Sequence, residues 1–197
     1  MLSLSQDAAA DALLDRDPLA LLTGMLLDQQ IPMERAFAAP AELARRLGTD
    51  TLDARQIAGY DPEKLVEVFA EKPALHRYPR SMAGRVQALH QAIVERYDGD
   101  VTGVWADAAD GRDLFRRLSA LPGFGTQKAQ IFVALLGKQC GVTPEGWREA
   151  AGNYGEEGSF RSVADVRDPG SLERVREFKQ AAKAAAKADK AAKKAGT

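Results

Sequence analysis

The chain has 197 residues, 45% of them hydrophobic, which is enough to bury a core in one domain or in two small lobes. Its formal net charge of −1 decides nothing about a polyanionic partner, and its single cysteine excludes an internal disulfide, a thiolate-ligated iron–sulfur cluster and a multi-cysteine zinc site. We expect a cytosolic protein, associated with the nucleoid if the source is bacterial, because we find neither a leader peptide nor an apolar stretch long enough for a bilayer.

Helix-start signals recur in the first third of the chain. Asp17-Pro18 and Asp61-Pro62 each place an aspartate cap directly before a proline, the residue favoured at the first helical position. Pro40, which precedes the run AELARRLG, predicts a third helix start.

A longer amphipathic helix is predicted at 81–97, where Val86, Leu89 and Ile93 fall on one face. Arginines near its start, such as Arg85, either reach the backbone of a bent duplex or form a solvated face. Strand signals are nearly absent from the whole chain. The sequence therefore predicts an all-α protein of about eight to ten short helices, and we expect it to be a monomer.

The most informative segment is 113–136, DLFRRLSALPGFGTQKAQIFVALL, in which two amphipathic stretches flank the turn at 122–125. Two helices joined by so short a turn form a hairpin, and the second helix begins with backbone N–H groups that have no helical partner. Such groups attract anions, and the glycines of the turn let a phosphate approach the backbone closely. The segment predicts a site for a nucleic-acid phosphate, although the same turn also occurs as an ordinary corner between helices.

The last third of the chain contains two segments of unusual composition. The range 141–170 is rich in glycine and has little periodicity, which predicts a packed irregular segment or lid. The range 171–197 is rich in alanine and lysine, which predicts a solvated helix or a disordered arm. From Leu172 onward it holds eight basic and three acidic residues, so it carries +5 and the rest of the chain −6. It is either an electrostatic tether for DNA or a solubilising tail.

The run LPGFG followed by TQKA, together with the early segment LLTGMLLDQQIPMERA, resembles the helix-hairpin-helix DNA glycosylases with a Gly/Pro-rich loop, the endonuclease III-like superfamily. The likeness extends from Asp17 to Arg148. It implies two helical lobes within 1–170 that flank a cleft into which a damaged nucleotide is flipped. It also implies that Gln30 fills the gap left by that nucleotide, and that the backbone carbonyls of Leu121 and Phe124 bind a monovalent cation next to a phosphate.

The chain departs from this superfamily at the lyase position. Members with lyase activity carry a lysine nucleophile where this sequence has Gln127, and an amide cannot form the Schiff base that the lyase reaction needs. Lys128 lies one position further on, about 100° around the helix, and we interpret it as a phosphate contact. The predicted DNA contacts are Gln30, Leu121, Gly123, Phe124, Gly125, Thr126, Gln127, Lys128 and Arg148.

The catalytic aspartate of the superfamily is replaced as well. Matching its V-D-x-x-x-x-R pattern to Val142 through Arg148 puts Thr143 at that position, whereas keeping the hairpin-to-acid separation puts Glu145 there. Only a carboxylate can stabilise an oxocarbenium-like sugar or act as a base for water at neutral pH. Glu145 is therefore the candidate catalytic acid, and the alternative is a helix-start glutamate behind Pro144.

Two functions fit these residues best. The first is a monofunctional DNA N-glycosylase of base excision repair, without a lyase step. The second is a non-catalytic protein that binds damaged or bent duplex DNA on the same scaffold. A third interpretation is an all-α module whose hairpin binds a protein partner. For the DNA-binding functions we expect no membrane partner and no cofactor beyond the cation that the resemblance implies.

Overall fold

A computed structural model describes residues 1–195, with side chains described through Ala188. This part of the chain is all-α and has no β-strand. None of its helices combines the length and the apolar character that a membrane crossing needs. The α-helices are α1 Ala8–Arg16, α2 Pro18–Leu27, α3 Met33–Arg46, α4 Ala54–Ala58, α5 Pro62–Ala70, α6 Pro79–Tyr97, α7 Gly111–Ser119, α8 Thr126–Gln139, α9 Trp147–Ala150 and α10 Pro169–Ala195. The short 3-10 helices are Val101–Val104, Gly152–Gly155 and Val163–Asp165.

Helix α2 is the central element of the core. Every residue from Leu19 to Leu27 is buried, so this helix is apolar on all sides rather than amphipathic. Helix α3 crosses it closely at Gly24, where an added Cβ would lie 2.8 Å from the Phe37 ring. Two of the predicted helix starts are confirmed, because Pro18 and Pro62 are the first residues of α2 and α5.

The helix start predicted at Pro40 is wrong. Helix α3 begins at Met33, and Pro40 lies inside it, buried in the core. Proline removes the helical hydrogen bond to the Ala36 carbonyl, which is why local propensity assigns such a residue to a helix boundary. The buried side chains of Met33 and Phe37 pack on the core upstream of the proline and thereby extend the helix through it.

Asp17 ties the start of α2 to a distant loop. One carboxylate oxygen accepts hydrogen bonds from the backbone N–H groups of Leu19 (2.9 Å) and Ala20 (3.1 Å). The other accepts from the backbone N–H of Leu52 at 2.7 Å. The aspartate cap predicted from the sequence is therefore also a tertiary contact.

Helices α4 and α5 pack on α6, and α6 reaches α2 through a buried polar pair. The predicted apolar face of α6 is confirmed, since Val86, Leu89 and Ile93 are buried. His90 Nε2 lies 2.9 Å from the hydroxyl of Thr23, and both side chains are fully buried. Burial lowers the pKa of His90 to about 3, so its ring is neutral at physiological pH.

Helices α7 and α8 form the hairpin that the sequence predicts. The Phe124 ring in the turn packs edge-on against Phe132 of α8, with 5.9 Å between the ring centroids. Leu121 and Phe124 are both buried. The turn therefore presents its backbone, rather than its apolar side chains, to solvent.

The irregular segment 141–170, predicted to be a packed segment or a lid, is held against α8 by a buried ion pair. Lys138 Nζ lies 2.6 Å from Asp165 Oδ1, and both side chains are less than a tenth exposed. The Asp165 carboxylate also accepts from the backbone N–H groups of Arg161 (2.8 Å) and Ser162 (3.2 Å). Polar contacts therefore order a segment whose sequence lacks hydrophobic periodicity.

The basic tail is a helix as far as it is described. In α10, Leu172 and Val175 are buried, and every residue from Arg176 through Ala188 is exposed. Of the two predicted forms of the tail, the structure has the solvated helix. Three of its basic residues, Lys190, Lys193 and Lys194, lie outside the described side chains.

Candidate nucleic-acid interface

The start of α8 is open to solvent. Gly123, Gly125, Thr126 and Gln127 are all exposed, and Gly125, the N-cap of α8, supplies no side-chain hydrogen bond to the helix start. An added Cβ at Gly125 would meet no described atom within 4 Å. The first N–H groups of α8 can therefore bind an anion that approaches over Gly125.

The turn lies directly against the end of α2. Gly123 has a φ of +83°, in the left-handed region that favours glycine. An added Cβ at Gly123 would lie 2.3 Å from Cδ1 of the buried Leu26. Glycine is therefore required at this position both by the backbone conformation and by the close approach of α2.

Lys128 does not extend away from the protein. Its Nζ donates to the backbone carbonyls of Met25 (2.6 Å), Leu26 (3.2 Å) and Asp28 (3.3 Å) at the C-terminal end of α2. Carbonyls at a helix end lack helical partners, so the ammonium group caps α2. Burial lowers the pKa of Lys128 to about 8. The phosphate contact predicted for this side chain does not fit the geometry, because its three donors are already used inside the protein; only the backbone N–H of Lys128 lies at the helix start.

The loop between α2 and α3 is brought next to the hairpin. Gln30 has a φ of +59°, a conformation that residues other than glycine rarely adopt, and it is exposed. Gln29 fixes the loop: its Nε2 donates to the Leu26 carbonyl (2.7 Å), and its own carbonyl lies 2.9 Å from His76 Nε2. Its Oε1 accepts from the Arg85 guanidinium at 3.1 Å. Gln30, predicted to contact DNA, therefore lies on a braced loop beside the turn.

Asp28 is a titratable residue of this region that sequence reasoning missed. It follows the last residue of α2, and its backbone carbonyl is one of the acceptors for Lys128. Burial raises the pKa of its carboxyl, and the positive charges of Lys179 and Lys128 oppose that rise. A buried carboxyl whose pKa is raised and that lies near charged side chains is a candidate functional residue. The sequence signal that could have identified Asp28 is the position of an acidic residue directly after an all-apolar helix, in the run LLDQQ.

The other predicted residues of the turn make internal contacts at the edge of this region. The Gln127 side chain donates from Nε2 to the Tyr154 hydroxyl at 2.8 Å and so links α8 to the irregular segment. The Leu121 carbonyl accepts the turn hydrogen bond from the backbone N–H of Phe124 at 3.1 Å. A carbonyl oxygen has a second lone pair, so a cation held by Leu121 and Phe124 would take its other ligands from phosphate and water.

Glu145 and Arg148 are not brought to the turn. The Glu145 carbonyl accepts from the backbone N–H of Gly111 at 2.7 Å, and Gly111 is the first residue of α7. Glu145 therefore lies at the far end of the hairpin, about 12 Å along α7 from the turn. Arg148 lies over the Trp147 ring, 4.5 Å from its centroid, and donates to the Gly155 carbonyl at 2.7 Å. The arrangement gives no support to the catalytic role predicted for Glu145 or to the DNA contact predicted for Arg148.

The candidate interface thus has three parts: the open start of α8, the exposed Gln30 on its braced loop, and the half-buried Asp28 at the end of α2. The described residues hold no group of three or more His, Cys, Asp or Glu side chains arranged to bind a metal ion. Comparisons with protein-family models, with curated proteins and with solved structures each give no match to this chain.

Proposed function

We propose that this protein binds damaged or bent duplex DNA through the start of α8, as a DNA-repair-type helix-hairpin-helix protein. The observation that carries the proposal is the open helix start at Gly125 next to the exposed Gln30. A helix start suits a phosphate, and an amide side chain suits the edge of a base. The resemblance to helix-hairpin-helix glycosylases assigns these two roles to the same positions, and the two-lobed fold that it implies for 1–170 is part of the proposal.

Recognition in this proposal depends on the state of the duplex rather than on its sequence. Backbone N–H contacts to phosphate position a protein on DNA without reading bases. A damaged or mismatched nucleotide leaves the stack at a lower cost than a paired one. Gln30 then enters the gap, and the Arg85 guanidinium beside Gln29 adds positive charge at the same edge of the interface.

Replacing Gly125 with aspartate should weaken DNA binding without unfolding the protein. Asp and Asn cap a helix start about equally well, so Gly125→Asp and Gly125→Asn should each stabilise α8 by a few tenths of a kcal/mol. Only the aspartate adds a negative charge where the phosphate binds. By fluorescence anisotropy with a duplex that contains an abasic-site analogue, we expect Gly125→Asp to lose affinity about tenfold more than Gly125→Asn, equivalent to about 1.4 kcal/mol.

Thermal unfolding of the three proteins shows whether the fold is kept. Equal affinity of wild type and Gly125→Asp would place the interaction elsewhere on the protein. Absence of binding by wild type to any duplex at low salt would overturn the proposal.

Asp28 favours a second function on the same site, hydrolysis of the N-glycosidic bond of the extruded nucleotide. Burial raises the pKa of this carboxyl, which brings it closer to the range in which a general base for water works well. In the reaction, Asp28 accepts a proton from water as the water oxygen bonds to the sugar carbon. The base departs with the electrons of the broken bond and takes a proton from solvent.

Asp28→Asn should abolish base excision and keep DNA binding. The substitution removes the proton acceptor, so we expect excision to fall about 100-fold or more, while affinity is kept or rises because a negative charge near the phosphate is lost. Duplexes with uracil, alkylated purines, oxidised bases or hypoxanthine, treated with alkali to cleave abasic sites, measure the activity. Glu145→Gln is the control and should excise as wild type does; the reverse result would move catalysis to Glu145. If the wild-type protein binds these duplexes and excises no base, it binds damaged or bent DNA without being a glycosylase.

A further inference from the structure

From Arg176 to Ala188, helix α10 carries its basic residues on one side. The basic residues along its first exposed turns recur every three or four positions, and at about 100° per residue they fall within an arc of about 80°. We call this arc the basic ridge; it consists of Arg176, Lys179, Lys183 and Lys187. Ala181 and Ala185 occupy the opposite side of the helix. The sequence repeats the ridge spacing at Lys190 and Lys194, whose side chains lie outside the described part of the chain.

Contacts at the base of α10 fix the direction of the basic ridge. Leu172 and Val175 are buried in the core. On the side away from the ridge, the Arg174 guanidinium lies over the Phe160 ring, 4.8 Å from its centroid. On the ridge side, Arg176 forms an ion pair with a residue at the start of α3. These contacts on both sides set the rotation of the first turns of α10 about the helix axis, and the continuous helix extends that orientation along the ridge.

The basic ridge begins at the candidate interface. Arg176 pairs with Glu34 in the first turn of α3, directly after the loop that carries Gln30. Burial raises the pKa of Asp28, and the Lys179 ammonium is close enough to oppose that rise. From Arg176 the ridge extends about 16 Å to Lys187, roughly half a helical turn of B-DNA.

The ridge weakens the helix that carries it. Like charges at i and i+4 repel each other, so lysines stacked on one side of an exposed helix destabilise it. A tail that served only solubility gains nothing from this arrangement, because lysines spread around the helix give the same net charge with less repulsion. The alanines between them favour the helical state and so keep the charges aligned.

We propose that the basic ridge docks along the phosphate backbone of a nucleic-acid duplex that is bound at the start of α8. The inference rests on the proposed function and extends it: the tail is a second contact surface of fixed orientation, not a tether that acts by its charge alone. Lys179, Lys183 and Lys187 neutralise successive phosphates as the duplex leaves the hairpin, and Arg176, which pairs with Glu34, holds the base of the ridge.

An anionic membrane is the other polyanion that a basic helix could bind, and the composition of α10 disfavours it. Helices that lie in a membrane interface bury tryptophan, phenylalanine or leucine on the face opposite their charges. Beyond Phe178, the described part of α10 offers only alanine on that face. An alanine face has too little apolar surface to insert between lipids, whereas binding to phosphates along a duplex needs none.

The test uses two variants of the full-length chain: one removes two ridge lysines, and the other moves them to the opposite side of the helix without changing the composition. In the neutralised variant, Lys183 and Lys187 are replaced by alanine. In the rotated variant, the same two changes are combined with Ala181→Lys and Ala185→Lys, which restores the net charge on the opposite side of the helix. Circular dichroism shows whether both variants keep their helix content, and in the rotated variant Glu177 can pair with the new lysine at position 181. Fluorescence anisotropy with a 25-base-pair DNA duplex, measured over a salt series, gives the affinities.

We expect both variants to bind about tenfold more weakly than wild type at 0.1 M salt, with a salt dependence shallower by about two units in log–log slope. Wild-type affinity in the rotated variant would contradict the proposed docking of the ridge, because the net charge of the tail alone would then account for its contribution to DNA binding. Wild-type affinity in both variants, with Gly125→Asp still impaired, would overturn the ridge and leave the proposed function standing. Ridge-dependent binding to phosphatidylserine vesicles without binding to DNA would overturn both.

Discussion

Gly123→Ala should destabilise the protein by about 3 kcal/mol. Alanine at a φ of +83° costs about 1 kcal/mol in backbone strain. The added Cβ would also lie 2.3 Å from Cδ1 of Leu26, so a fully buried side chain must move in a packed core, which costs about 2 kcal/mol more. Urea unfolding of wild type and variant, followed by circular dichroism, measures the difference in free energy of unfolding.

A second glycine separates the two causes. Gly48 has a φ of +72°, and a Cβ added there would meet no described atom within 4 Å. Gly48→Ala should therefore cost only the backbone strain, about 1 kcal/mol. Equal losses in free energy of unfolding for Gly123→Ala and Gly48→Ala would show that the close contact with Leu26 does not contribute to the destabilisation. Combining Gly123→Ala with Leu26→Ala gives a further check, because the double variant should lose less than the sum of the two single variants.

Acidification from pH 7 to pH 5 should cost the protein about 2 kcal/mol of stability through His90 alone. Burial lowers the pKa of His90 from 6.5 to about 3, so in this pH range the unfolded chain binds a proton that the folded protein does not. The contribution of the neutral His90 ring to the free energy of unfolding is therefore fully present above pH 6.5, and it is lost as the pH falls towards 3. Urea unfolding at pH 7 and pH 5 measures the change.

The variant His90→Gln keeps a polar group near Thr23 and has nothing to titrate in this range. Its stability should fall less between pH 7 and pH 5 than that of wild type, whatever its stability at pH 7. Burial also lowers the pKa of His76, so a smaller loss in the same direction should persist in the variant. Identical pH dependence of wild type and His90→Gln would mean that folding does not lower the pKa of His90.

Local signals predict the helical framework well. Aspartate followed by proline marks helix starts because capping and a fixed φ are properties of the residues themselves. The hairpin turn is equally local, since glycine at position 123 or 125 permits conformations that other residues resist. Pro40 shows the limit: the packing of Met33 and Phe37 upstream outweighs the local preference, and a single sequence does not reveal such packing.

The candidate site was harder to predict, because its key contacts join residues far apart in sequence. From the sequence, Lys128 is expected to be a solvent-exposed cation at a helix start. In the structure its ammonium binds carbonyls of α2 about a hundred positions earlier. Glu145 has the right chemistry for an acid, but its carbonyl is bound to Gly111, at the end of the hairpin away from the turn. Asp28 has no motif around it, and its pKa is raised mainly by burial in the fold and further by the nearby negative charge of Glu34.

The contact of Lys128 with the end of α2 joins two segments mechanically. Its ammonium donates hydrogen bonds to the carbonyls of Met25, Leu26 and Asp28, just before the loop residue Gln30. Its own backbone belongs to the first turn of α8. A displacement of the first turn of α8 would therefore also displace the loop that carries Gln30, so that these two parts of the candidate interface form one mechanical unit.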